Sequence, residues 1–167
     1  RSFNFKQKKD MPLYGRQKVL DQIQQEFGYI FSQKKYPGVP RIQIEPIENQ
    51  PFKIKNTVIE PVEVMHYKLP VYGFKIDQMA YITDANFIEK PEKEKLKNLD
   101  VLVLNALQKE PHVSHFTLEE ALELIDELKP KRAFLTHISH NLGLTKEVAQ
   151  ELPDNVMLAY DGLKVRC

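Results

Sequence analysis

Between residues 101 and 160, three apolar runs of only four or five residues, 101–104, 133–136 and 156–160, alternate with stretches of helical periodicity. Runs this short and unbroken suit strands covered on both faces, as in parallel sheets whose crossovers are helices. The segments between them supply those helices. Thr117-Leu118-Glu119-Glu120 has the capping-box form, in which hydroxyl and carboxylate each satisfy a backbone amide at a helix start. Leu118, Ala121, Leu122, Ile125 and Leu128 then share one face, and Pro130 stops the helix. A shorter helix is predicted over 146–152, and Pro91 opens another that runs to about residue 98.

The chain ahead of this alternation reads mainly as strands. They are predicted over 41–47, 52–54 and 58–65, with a hairpin pairing 72–76 and 79–83 around Asp77-Gln78. Before them come a short strand and turn at 12–15, a helix over 16–27 and a Pro/Gly loop at 36–40. Lys6, Lys8 and Lys9 suggest a solvated loop, and Asp161-Gly162 a turn leading into 163–165. Strands followed by a βαβα alternation give an α/β layered domain.

Composition narrows the function classes. A net charge of +1 provides no global field to recruit nucleic acid or an anionic membrane. The longest apolar run, 156–160, is far short of the roughly 20 residues of a spanning helix, so a cytoplasmic protein is expected. A single cysteine, Cys167, rules out an internal disulfide framework and a Cys-rich zinc module. Arg1 is neither an initiator methionine nor the start of a signal peptide, so the chain reads as a segment beginning in mid-protein.

All five histidines, His66, His112, His115, His137 and His140, lie between positions 66 and 140. Five predicted strands run into a polar residue: His66, Asp84, Asn105, His137 and Asp161. The carboxyl ends of strands line the ligand crevice of α/β sheets, where side chains from distant positions converge. Imidazole with carboxylate suits Zn²⁺, Mn²⁺ or Fe²⁺ in an open site. Each such residue taken alone is more often a cap or turn-former. Asp161-Gly162 is read as a turn, and His112, after Pro111, as an exposed loop residue.

Five short motifs stand in one order along the chain: His66-Tyr67-Lys68-Leu69-Pro70-Val71-Tyr72-Gly73-Phe74, Tyr81-Ile82-Thr83-Asp84, Ser114-His115-Phe116-Thr117-Leu118, Leu135-Thr136-His137-Ile138-Ser139-His140 and Tyr160-Asp161-Gly162. With them, residues 64–165 resemble the C-terminal half of metallo-β-lactamase-fold hydrolases, and most closely the PhnP-like phosphodiesterases. The resemblance implies an αββα sandwich represented here by its second sheet and flanking helices. It divides one N-terminally truncated domain, 1–167, into a variable cleft region, 1–57, and a C-terminal βαβ half, 58–167. It also implies two divalent metal ions, Mn²⁺ or Zn²⁺, in the complete protein, with His66, Asp84 and His137 as ligands and Asp84 bridging the ions. His115 would contact the phosphate and assist the leaving group. His140 and Asn105 would touch the substrate or steady a ligand, although relatives often carry Asp at the position of Asn105.

The family's His-x-His-x-Asp-His loop does not occur in these 167 residues. On the resemblance it would lie upstream of Arg1, so this chain is expected to hold at most one ion weakly and to turn over slowly or not at all. The implied function of the whole is metal-dependent hydrolysis of a small phosphodiester, phosphoribosyl cyclic phosphate or a related ester, by a hydroxide shared between the ions. A second copy of the chain is a candidate partner. Two other readings stand beside this one: a non-catalytic interaction domain that kept the fold, and a ribonuclease Z-like RNA-processing hydrolase, which the near-zero net charge disfavours.

Overall fold

A computed structural model describes residues 1–34 and 36–166, so Cys167 lies outside the described residues. The chain divides into two compact units, Arg1–Gln50 and a second beginning at Pro51.

In the first unit, helix α1 (Ser2–Gln7) precedes strand β1 (Met11–Gly15), helices α2 (Gln17–Glu26) and α3 (Gly28–Phe31) and strand β2 (Ile42–Pro46). β1 and β2 pair in parallel. Buried Asn4 ties the unit together: its amide donates to the carbonyls of Lys9 and Arg41, and its oxygen accepts the Arg41 N–H. The lysine run is exposed as expected, but Lys6 sits in α1 and Lys8 closes that helix in a left-handed conformation, where a loop was predicted.

The second unit is built on a seven-stranded sheet in the order β3-β4-β5-β6-β7-β8-β9. The strands are β3 (Phe52–Ile54), β4 (Thr57–His66), β5 (Leu69–Ile76), β6 (Met79–Ile82), β7 (Val101–Asn105), β8 (Arg132–Thr136) and β9 (Val156–Leu158). β3 to β6 run antiparallel, joined by tight turns such as Asp77-Gln78, where Asp77 takes the positive φ of 49° that a glycine would otherwise supply. β6 to β9 run parallel. Parallel neighbours need crossovers, and the predicted helices provide them: α4 (Lys90–Lys95), α5 (Leu118–Leu128) and α6 (Thr145–Glu151). Because β4 and β6 both oppose β5, the carboxyl ends of β4, β6, β7, β8 and β9 share one rim.

The core fills the space between one sheet face and the helices. Val62, Ala80, Ile82, Leu102, Leu104, Ala133 and Leu135 come from the strands, and Leu96, Leu118, Ala121, Ile125 and Val148 from around the helices. Leu124 is buried in α5, whereas Leu122, assigned to the apolar face from spacing, is only partly covered. The predicted capping box forms in full: the Thr117 hydroxyl accepts from the Glu120 N–H, and the Glu120 carboxylate accepts from the Thr117 N–H. Residues 163–165 form no strand. No helix among the described residues is long and apolar enough to cross a membrane.

Gly73 lies where β5 and β6 pack closely. A Cβ there would lie 2.8 Å from Ile82 Cγ1 and 3.0 Å from the Tyr81 carbonyl. Gly73→Ala is therefore expected to destabilise the protein by about 1–3 kcal/mol, and Thr117→Ala by about 1 kcal/mol. Thermal denaturation of both variants beside the wild type checks this.

Candidate metal centre

The rim of the sheet collects the polar residues that the strands run into. His66 is the last residue of β4 and Asn105 the last of β7. His137 directly follows β8, while Asp84 stands two residues beyond the end of β6. Asp84 and His137 both have left-handed backbones, with φ of 55° and 57°. Asp and His tolerate that region better than most residues, and a conformation of this kind held beside a cluster of polar side chains is typical of functional sites.

Asn105 fixes the Asp84 turn. It is fully buried; its side-chain oxygen accepts the Ala85 N–H and its amide donates to the Ala85 carbonyl, each at 2.9 Å. An amide that ends an apolar strand thus clamps the residue after Asp84 on both backbone groups. This places Asn105 beneath the site and away from any substrate surface.

Asp84 is the hub. Its Oδ1 lies 3.2 Å from His115 Nε2 and 3.4 Å from His137 Nε2, and its Oδ2 accepts the Thr83 hydroxyl at 3.2 Å. The His115 and His137 rings stack, with centroids 4.7 Å apart and planes at 14°. His66 meets His115 edge-on at 4.9 Å. One ligand atom each from His66, Asp84 and His115 lies within 4.8 Å of the others. His66, Asp84, His115 and His137 therefore converge. His140 does not: it opens an exposed 3₁₀ turn, His140–Leu142, and among the described residues makes no ring contact or ion pair with the cluster.

His112 was read as an exposed loop residue. It is exposed, yet its ring reaches the cluster, with Nδ1 3.1 Å from His115 Nδ1 and ring centroids 5.0 Å apart. Ser114 Oγ also bonds His115 Nδ1, at 2.9 Å. The i, i+3 spacing of His112 and His115 was visible in the sequence; the fold of the loop that folds one back on the other was not.

Electrostatics favour a cation. Burial opposes charge on Asp84, but the hydrogen bond from His115, the nearby His137 and the Thr83 hydroxyl outweigh it and hold the carboxyl below its ordinary range. Burial pushes the His115 imidazole down; the Asp84 hydrogen bond opposes this, while repulsion from His137 and His66 adds to it. A neutral imidazole beside an ionised carboxylate is the donor state that a metal needs. The spacing fits as well. Two donors bound at about 2.0–2.1 Å to one tetrahedral ion stand roughly 3.3 Å apart, close to the 3.4 Å between Asp84 Oδ1 and His137 Nε2. Among the described residues this is one group of donors, so the chain should bind a single divalent ion, and Asp84→Ala should abolish that binding. Equilibrium dialysis with metal analysis measures both.

The chain matches the model of the Beta-lactamase superfamily domain over residues 1–138. It is 34% identical over 158 residues to an octanoyltransferase of Porphyromonas gingivalis (strain ATCC BAA-308 / W83), covering 93% of this chain and 32% of that protein. Among solved structures, a new diphosphatase from the PhnP family superposes with a TM-score of 0.87 at 31% identity, over 95% of this chain and 59% of that one. The metallo-beta-lactamase fold protein YhfI from Bacillus subtilis superposes with a TM-score of 0.69 at 19% identity, over 91% and 63%. The chain thus spans about a third of the curated relative and about three fifths of each of the two solved chains. A family model covering most of the chain, a sheet that superposes on these folds, and donors gathered at its rim agree: the chain belongs to the beta-lactamase superfamily and has the metallo-β-lactamase fold.

Proposed function

We propose that this chain carries part of the metal centre of a metal-dependent phosphodiesterase acting on a small ester such as a phosphoribosyl cyclic phosphate. The observation that carries the reading is one carboxylate oxygen, Asp84 Oδ1, within 3.4 Å of imidazole nitrogens on two separate loops, with a third imidazole at ligand range. The similarity to a diphosphatase of the PhnP family supports a phosphoryl substrate.

In this reading His66, Asp84 and His137 would hold a divalent ion, Mn²⁺ or Zn²⁺. Such an ion supplies Lewis acidity and lowers the pKa of a bound water. The remaining work falls to the protein's own groups. His115 stands two residues before the Thr117 cap of α5, where the positive end of the helix favours a phosphate oxygen. Its Nε2 faces the cluster, placed to donate a proton to the departing ester oxygen. Because burial and its histidine neighbours lower its proton affinity, the negative charge of the incoming phosphodiester must raise that affinity for the ring to carry the proton. Hydrolysis breaks one P–O bond, adds water across it, and leaves a phosphomonoester and an alcohol. Octanoyl transfer is assigned to no residue here, since the relative of that name is three times as long as the shared region.

The full-length protein, loaded with Mn²⁺ or Zn²⁺, is expected to hydrolyse bis-p-nitrophenyl phosphate and a cyclic phosphate. His115→Ala should lower kcat by roughly 10²–10⁴-fold, the usual contribution of a positioned acid, with metal content unchanged. His137→Ala should lose metal. Full activity in the His115 variant would remove its role as acid, and metal lost from it but kept by the His137 variant would reverse the two roles.

A further inference from the structure

We infer that Asn86 is the positioning residue that sets the placement of His66 and His115 about Asp84, a role that rests on the proposed centre and extends it. Asn86 follows the clamped Ala85 and is half-buried. Its side-chain oxygen accepts the Tyr67 N–H at 2.8 Å, on the residue directly after His66. Its amide donates to the Val113 carbonyl at 3.4 Å, between His112 and His115. Its backbone N–H donates to the Met65 carbonyl at 2.8 Å, and the Met65 N–H returns a bond to Phe87 at 2.9 Å. One side chain, two residues from Asp84, thus spans the segments that carry His66 and His115.

The need for such a brace is local. Tyr67 has a left-handed backbone, φ 58°, in the tight turn that follows His66. No strand pairing holds the 113–115 segment, whose nearest backbone anchor is the Phe116 N–H on the Ala85 carbonyl at 2.8 Å. Asn105 fixes Asp84 from below, through Ala85; Asn86 fixes the proposed ligand His66 and the proposed acid His115 relative to it. Groups of this kind typically change metal affinity by about 10–100-fold when removed, although they never touch the ion.

The test uses the full-length protein and Zn²⁺ alone, titrated in competition with a chromophoric chelator. Asn86→Ala is expected to weaken Zn²⁺ binding by about 10–100-fold, with an unchanged far-ultraviolet circular dichroism spectrum. In the metal-free protein, hydrogen exchange at the Tyr67 amide should speed up. Asn86→Asp keeps an oxygen opposite that amide and should restore its protection. If Asn86→Ala fails to fold, Asn86→Ser replaces it under the same expectation, because its shorter side chain cannot reach both partners. Wild-type Zn²⁺ affinity in Asn86→Ala, or a Tyr67 amide left unprotected in Asn86→Asp, would overturn the inference while leaving the metal centre intact. No Zn²⁺ binding by the wild type would overturn both.

Discussion

The two hydrogen bonds between the buried Asn105 amide and the backbone of Ala85 are the constraint on which the site depends. Asn105 terminates a central parallel strand whose inner face lies in the core, so its side chain has no freedom to wander. A buried amide left without these partners would cost about 1–3 kcal/mol. Satisfying it on Ala85 holds the preceding residue in its left-handed turn and directs the Asp84 carboxylate toward the histidines. The core of the sheet is thereby coupled, through one side chain, to the position of one functional oxygen.

What gathers there works against the stability of the metal-free fold. Left-handed backbones at Asp84 and His137 carry a cost of the order of 1–3 kcal/mol each. Three histidine rings crowd one carboxylate, and the burial of His115 together with the repulsion of its neighbours lowers that ring's proton affinity. A divalent cation at this point would relieve the crowding, taking up the lone pairs and compensating the carboxylate. The rest of the rim is arranged by ordinary means: a capping box starts α5 close behind His115, and β4, β7 and β8, which run in the same direction, deliver His66, Asn105 and His137 to the same edge.

Much of this was legible in the sequence because its signals are local. The capping box at Thr117, the short apolar strands and the Asp77-Gln78 hairpin each depend on residues a few positions apart, and each forms where expected, except that the strand read over 156–160 stops at Leu158, short of Asp161. The convergence of His66, Asp84 and His137 was also readable, since strands running the same way bring their ends to one rim whatever the loop lengths; His115, in a loop before α5, entered only through the resemblance of its motif. Less accessible were features set by long-range contacts. His112 joins the cluster through the fold of its loop, and Asn86 acts through backbone groups 19 and 27 residues away. The burial of Leu124 in preference to Leu122 follows from how α5 sits on the sheet, which spacing on the helix leaves open. Helix α1 lacks a side-chain cap, so nothing in its sequence marked its start. The same locality explains His140: it belongs to the motif around His137, but the 3₁₀ turn it begins keeps it out of the cluster.

The central claim is that Asp84 and its neighbouring histidines share one cation. Crystals of the protein grown with Zn²⁺, with diffraction recorded on both sides of the zinc absorption edge, locate the ion directly. The predicted result is an anomalous peak about 2.0–2.2 Å from an Asp84 carboxylate oxygen and from at least one imidazole nitrogen of the cluster. A fully occupied zinc bound elsewhere, with Asp84 and the histidines retaining only their contacts to one another, would contradict it.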